Sequence, residues 1–333
     1  DFADVRIAFC GYDRAYNNPV KGYQATGQSA AVRGYFPLLR RIGAGARDML
    51  LAAAAERWHV PISECAARAS VVWHSKSKRK AGFGELAADA ARQTPPADPT
   101  LKAVSKFRLI GTRVARKDTA MKVDGSAQYA ADLTLPGMVY AAVRVSPVAG
   151  GRVVRLGDTR ARGASGVLDV VRLEGGVAVV AKGWWQAQTA LGLLELDFDG
   201  GAIAASTDSI DAALHSGVSE DGRVVREVGD VEAALHGSVS VLVREYKVPY
   251  LAHATMEPMS CVASVEGDRC TVWAPTQGPT VAHAAAAKAA GVPPENVQVH
   301  RMFIGGGFGR RYEADFVTQV VQISRAVGLP VKL

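Results

Sequence analysis

The sequence has no apolar run of about 18 residues, so no transmembrane helix is predicted. Its first residues, Asp1-Phe2-Ala3-Asp4-Val5-Arg6-Ile7, lack a basic stretch followed by an apolar one, and no targeting signal is visible. Cysteine is scarce. Cys10, Cys65, Cys261 and Cys270 form no C-x-x-C pair and have no His at metal-ligand spacing, which argues against an iron–sulfur cluster carried by this chain alone. Cys261 and Cys270 flank the turn Glu266-Gly267-Asp268; a cross-strand contact is open to them, and two buried free thiols are the simpler reading. The net charge is +7, but the one dense basic cluster, Lys76-Ser77-Lys78-Arg79-Lys80, has no interleaved aromatics. It reads as a solvated loop, and no nucleic-acid partner is expected. An initiator Met is also lacking, and the last residues, Leu329-Pro330-Val331-Lys332-Leu333, are apolar without a cap, so both ends read as cut from something longer.

What is present is ordinary globular composition. The 333 residues are 48% hydrophobic and 21% charged, enough for two or three domains with buried cores. An opening strand, a polar loop over 16–34 and a helix over 38–58 are predicted from periodicity. Val71–Trp73 reads as a strand and Phe83–Ala91 as a helix, followed by the Pro-rich stretch to Pro99, the clearest linker in the sequence. From Phe107 to Asp199 strands and turns dominate, including a hairpin around Glu174-Gly175-Gly176 and a helix from Trp184. Beyond Val224 the pattern predicts a strand over 239–248, a hairpin over 262–273, and an Ala-rich helix from Thr280 stopped by Gly291. A strand over 297–303 then feeds the run Gly305-Gly306-Gly307-Phe308-Gly309-Arg310-Arg311, and an amphipathic helix over 313–327 closes at Gly328.

That glycine run is the main chemical signal. Between a strand and a helix, glycines let backbone N–H groups approach a ligand, and the following helix end favours anions. Arg310 and Arg311 would add charge for a phosphate. A dinucleotide G-x-G-x-x-G starting at Gly305 would need Gly where Arg310 stands, and a Walker loop would need Gly-Lys where Gly309-Arg310 stands, so the loop is of another kind. Thr26-Gly27-Gln28-Ser29-Ala30-Ala31 is a second close-approach segment; it misses a nucleophile elbow because Ala31 replaces the last Gly. His253 and Glu257 lie four apart, but Pro258 argues against one helix presenting both, and they read as structural. Thr276-Gln277-Gly278-Pro279 reads as a helix-entry turn whose glutamine amide can donate to an oxo group or accept from a ligand.

Together, His253-Ala254-Thr255-Met256-Glu257-Pro258, Trp273-Ala274-Pro275-Thr276-Gln277 and Gly305–Arg311 resemble the molybdenum-binding subunit of the xanthine oxidase family. The branch is that of isoquinoline 1-oxidoreductase β-subunits and aldehyde dehydrogenases. Leu109-Ile110-Gly111-Thr112, Asp118, Lys122–Tyr129 and Leu135–Met138 resemble the entry to that family's α/β hammerhead domain, and Thr26–Ser29 with Arg33-Gly34 its N-terminal segment. The resemblance implies an α+β, multidomain fold: an N-terminal molybdopterin-associated segment over 1–100, the hammerhead over 107–205, and the first part of the molybdopterin-binding domain over 220–333. It implies that Gln277 contacts the apical oxo group of molybdenum and that Phe308 and Gly309 approach the same group. Gly306 and Gly307 would lie along the pterin, Arg310 and Arg311 would meet its anionic part, and Thr26, Gly27 and Ser29 would make a cofactor or domain contact. Gln28 departs from the Gly usual at its position, and Tyr312 stands nearest the substrate glutamate of the xanthine enzymes, which argues against a purine.

The implied reaction is hydroxylation of an N-heteroaromatic compound or an aldehyde, with water as the oxygen source. The catalytic base is expected beyond Leu333, so no catalytic residue is assigned here, neither Glu257 nor Glu313, and no residue ligates the metal directly. The implied cofactor is a molybdopterin, with the cytosine dinucleotide as a candidate form. The implied partners are a small iron–sulfur subunit and the remainder of the molybdenum subunit. Periplasm and cytoplasm both stay open, since an export signal would precede Asp1. The alternative is a non-catalytic assembly or binding protein that keeps the fold.

Overall fold

A computed structural model describes residues 2–201 and 205–333; Asp1 and residues 202–204, which fall in the expected N-terminal and hammerhead ranges, lie outside it. In chain order the elements begin with helix α1 (Ala30–Trp58), strands β1 (Cys65–Arg68), β2 (Val71–His74) and β3 (Arg79–Gly82), and helices α2 (Phe83–Ala90) and α3 (Thr119–Val123). Then come β4 (Val139–Val145), β5 (Val153–Gly157), α4 (Thr159–Arg162), β6 (Val167–Leu173), β7 (Gly176–Ala181), α5 (Trp184–Leu191), β8 (Glu195–Phe198), α6 (Thr207–Val218) and α7 (Val231–His236). The last third holds β9 (Val262–Glu266), β10 (Arg269–Ala274), α8 (Pro279–Ala290), β11 (Val297–Arg301), α9 (Asp315–Val327) and β12 (Val331–Lys332).

These elements form two units, one of residues 1–141 with 255–333 and the other of 142–254. This division differs from the expected one at residue 107. The first and last parts of the chain share one unit because their loops exchange backbone hydrogen bonds, and sequence-local patterns do not report such pairings. In the first unit β11, β10, β9 and β12 lie side by side, and Val139 of β4 continues the row against Val331. β10 pairs antiparallel with β9 around Gly267, at φ +60°, and parallel with β11 through the crossover helix α8. α9 packs on β9 through Phe316, Val317, Val320 and Val321, all buried. Its end is fixed by Gly328 and that of α8 by Gly291, both left-handed as a helix stop requires. Cys261 and Cys270 are buried free thiols, and burial raises both, Cys270 to about 11.

Helix α1 starts eight residues before the predicted position. Gly34 and Pro37 read as breakers, yet both lie inside the helix. Gly34 is required there because a Cβ would overlap the Asn18 side chain, whose Nδ2 donates to the Ala30 carbonyl at 2.9 Å. The Pro-rich stretch is no free linker either. Arg41, Arg47 and Arg40 of α1 donate to the carbonyls of Ala97, Thr100 and Lys102 at 3.0, 2.7 and 2.8 Å. The other side of α1 packs on β2 and α2 through Ala54, Trp58, Val72, Ala81 and Leu86. The expected opening strand is a short turn at Phe2–Asp4 followed by irregular chain that touches β11 through the Tyr12 N–H, which donates to the Val299 carbonyl at 3.3 Å.

In the second unit β7 lies between β4 and β6, and all six of its residues are buried. Gly175, at φ +75°, makes the predicted β6–β7 turn, and α5 covers this sheet through Ala187, Ala190 and Leu191. Residues 239–248, where a strand is predicted, take no regular structure, and every one of them is exposed. Alternation favours a strand there, but a strand forms only where a neighbour offers hydrogen bonds.

Leu86→Ala should cost about 2–4 kcal/mol, because it removes a fully buried side chain from the α1–β2–α2 cluster. Urea unfolding of the full protein measures this, and a loss under about 1 kcal/mol would show that the cluster is not the core it looks like.

Candidate functional site

Three segments far apart in sequence meet in the first unit. The strand β10 ends at Ala274, and the turn to α8 carries Gln277, half-buried. Its backbone N–H donates to the Arg311 carbonyl at 2.9 Å, and its own carbonyl accepts from Thr26 N–H at 2.7 Å. The side chain repeats the bridge. Gln277 Oε1 accepts from Gly309 N–H at 3.1 Å, and Nε2 donates to the Thr26 carbonyl at 3.2 Å. One hydrogen of that amide nitrogen stays available. Gln24 extends the contact, donating its N–H to Thr280 Oγ1 at 3.0 Å, while its side chain bonds Asp13 and Gly11. Nothing in the sequence singled out Gln24 or Asn18; both are buried polar residues in a stretch that reads as polar loop.

The glycine run is a tight loop whose backbone needs glycine. Gly306 and Gly309 have φ near +100°, which side chains rarely tolerate. Gly305 and Gly307 are glycines for another reason. A Cβ at Gly305 would overlap the Glu257 side chain, and one at Gly307 would lie 2.5 Å from Gln277 Oε1. The close approach read from the sequence is therefore, at these two positions, an approach of the protein's own side chains. Phe308 sits at the tip, 73% exposed and at φ +51°, a conformation costing a bulky residue roughly 1–2 kcal/mol.

The two arginines behave differently from the expectation that both present charge to an anion. Arg310 makes a two-pronged pair with Asp315, at 2.8 and 2.7 Å, and is partly exposed. Burial opposes the Asp315 carboxylate, but the Arg310 contact outweighs it and holds the group below its usual range. Arg311 has no exposure at all. Its Nε donates to the Gly306 carbonyl at 2.7 Å, and Nη2 donates to the Glu257 carbonyl at 2.6 Å while meeting Glu257 Oε2 at 3.1 Å. Glu257 Oε2 in turn accepts from Gly305 N–H at 2.8 Å. Arg311 therefore cannot reach a ligand on the surface of the loop, and burial lowers its pKa. His253 is exposed, which corrects its reading as a satisfied structural residue. Thr26 and Ser29 are exposed and Gly27 is half-buried; Gln28 and Ser29 take left-handed backbone, opening α1 without a side-chain cap. Tyr312 stacks near Gly278 and shares a hydrogen bond with Tyr23, which lowers Tyr23 and raises Tyr312.

Among the described residues, the N–H groups of Gly306, Gly307 and Phe308 have no hydrogen-bond partner. Three consecutive free donors, on a backbone left-handed at Gly306 and Phe308, suit oxyanions or oxo groups. The donor set, with the spare hydrogen of Gln277, fits a molybdopterin, which is rich in acceptor atoms.

Residues 215–333 match the family described as Molybdopterin cofactor-binding domain. The chain is 32% identical to the beta subunit of isoquinoline 1-oxidoreductase from Brevundimonas diminuta, over all of this chain and 48% of that protein. It is 29% identical to a nicotinate dehydrogenase subunit of Pseudomonas putida, over 99% of this chain and 28% of that protein. Quinoline 2-oxidoreductase from Pseudomonas putida 86 shares the fold, with a TM-score of 0.53 at 23% identity over 67% of this chain and 34% of that one. The chain is thus similar to the molybdenum-binding subunits of the xanthine oxidase family, and its residues 215–333 match their molybdopterin-binding domain. It spans about half the length of the first of these relatives and less of the others.

Gly307→Ala should destabilise the protein by about 1–3 kcal/mol, since Gln277 must give way. Gly27→Ala meets nothing within 4 Å and should stay within about 0.5 kcal/mol of the parent. Thermal unfolding of the two variants compares them; equal effects would refute this account of the loop.

Proposed function

We propose that this chain forms one wall of the cofactor pocket in the large subunit of a molybdenum hydroxylase. The enzyme oxidises an N-heteroaromatic compound or an aldehyde, takes oxygen from water, and passes electrons to an iron–sulfur partner. The observation that carries the reading is the row of free N–H groups on Gly306, Gly307 and Phe308 beside the Gln277 amide. When bound, the molybdenum cofactor supplies the redox chemistry of the hydroxylation. This chain's residues hold and orient it. The three N–H groups and the spare Gln277 hydrogen donate to its acceptor atoms, and the Thr26 and Gly309 contacts keep that amide from turning. Phe308 presents an apolar face, suited to a flat, electron-poor substrate.

Arg310 is half of a surface pair and contributes positive charge near the loop; Arg311 contributes none at the surface. Glu257 is committed to Gly305 and Arg311, so the proton-abstracting carboxylate is assigned to the part of the enzyme outside these residues. The cytosine dinucleotide form of the pterin and clusters on a separate small subunit complete the proposal. The four cysteines here do not gather into a cluster site, two of them being sealed in the β-sheet core.

Purified in its natural complex, the full-length protein should carry molybdenum in proportion to chain. Gln277→Ala removes two hydrogen bonds of roughly 1 kcal/mol each and should lower retained molybdenum about tenfold. Metal analysis alongside turnover decides the matter: an active complex without molybdenum would falsify the assignment.

A further inference from the structure

The carbonyls of the glycine loop explain why its N–H groups are free. The Gly305 carbonyl accepts from Glu257 N–H at 3.0 Å, that of Gly306 from Arg311 Nε at 2.7 Å, and that of Gly307 from Arg310 N–H at 2.8 Å. In a planar trans peptide the C=O and the next N–H point in opposite directions. Anchoring these three carbonyls inward therefore turns the N–H groups of Gly306, Gly307 and Phe308 outward together. Glu257 Oε2 adds a fourth tie, to Gly305 N–H, and meets Arg311 Nη2 at 3.1 Å.

We propose that Glu257 and Arg311 are a positioning pair, which sets the direction of the loop's donors and does not itself touch the ligand. The inference deepens the proposed function and rests on it for the ligand's identity alone. The pair is poorly built for stability as such. Among the described residues Arg311 Nη1 and Glu257 Oε1 are buried without a partner, and a buried ion pair with orphaned atoms is commonly no better than apolar packing. What apolar packing cannot do is hold the Gly306 carbonyl and the Gly305 N–H from beneath at once. Lysine cannot do it either, since one ammonium on a flexible stem replaces a planar fork.

The test compares Arg311→Met, Arg311→Lys and the double variant Glu257→Gln/Arg311→Met in the full protein with its natural partner. It reads the melting temperature, hydrogen exchange of the peptide covering 305–309, and molybdenum per chain. Gly309 is informative because its N–H is bonded to Gln277 and not to the pair. Arg311→Met leaves Glu257 unpaired and should lower the melting temperature sharply. The double variant should regain most of that loss, yet exchange of the two bonded N–H groups in that peptide, Gly305 and Gly309, should stay roughly tenfold faster and molybdenum roughly tenfold lower than in the parent, the effect of one or two lost hydrogen bonds. Arg311→Lys should keep most of the melting temperature and show the same two defects. Recovery of exchange and molybdenum together with melting in the double variant would overturn the proposal, as would parental exchange in Arg311→Lys. If the parent itself held no molybdenum, the exchange result would still decide the positioning role, and only the cofactor reading would fall.

Discussion

The site depends on one side-chain amide. Gln277 accepts from Gly309, 32 residues later, and donates to Thr26, 251 residues earlier, and so joins the glycine loop to the N-terminal segment. Both bonds are made to backbone groups, the Gly309 N–H and the Thr26 carbonyl. The amide sits where β10 gives way to α8, and that junction is held by the sheet on one side and by Thr276 on the other, whose hydroxyl bonds the Arg311 carbonyl. A flexible polar side chain is thus presented from a position whose backbone is bonded on both sides, to Arg311 and to Thr26. A site that must hold a cofactor in register benefits from that arrangement, because rotamer freedom lost beforehand is not lost on binding.

Much of this was legible in the sequence, for definite reasons. The hairpin over 262–274, the helices 279–290 and 315–327 and their Gly stops follow from periodicity and from the left-handed backbone that ends a helix, both local properties. The convergence of Thr26, Gln277 and Gly305–Arg311 was readable only through family resemblance, since no local pattern links residues so distant. The start of α1 was hidden because Gly34 and Pro37 ordinarily break helices, and only the packing of Asn18 shows why Gly34 is there. The burial of Arg311 was hidden for a related reason. A sequence displays a charge but not its partner, and Glu257 lies 54 residues away. The strand expected over 239–248 marks the opposite error, in which a correct alternation was taken as evidence of a neighbour.

The loop also differs in kind from the cradle its glycines suggest. A glycine-rich turn before a helix suggests room for a ligand against bare backbone. Here part of that room is filled by Glu257 and Gln277, and the donors that stay free are those whose peptides are anchored from behind. Charge was expected from the arginines, but the structure spends Arg311 on geometry and pairs Arg310 with Asp315. Recognition at such a site rests on directed peptide dipoles more than on net charge, and it should be less sensitive to salt than an exposed arginine cluster would be.

The contact between Gly307 and Gln277 also limits how the site can evolve. The missing Cβ of one residue is the space occupied by the amide of the other. Neither position can drift alone: a larger residue at 307 demands a shorter one at 277, and a shorter one at 277 gives up the link to Thr26. The two form a single heritable unit, written in two places 30 residues apart.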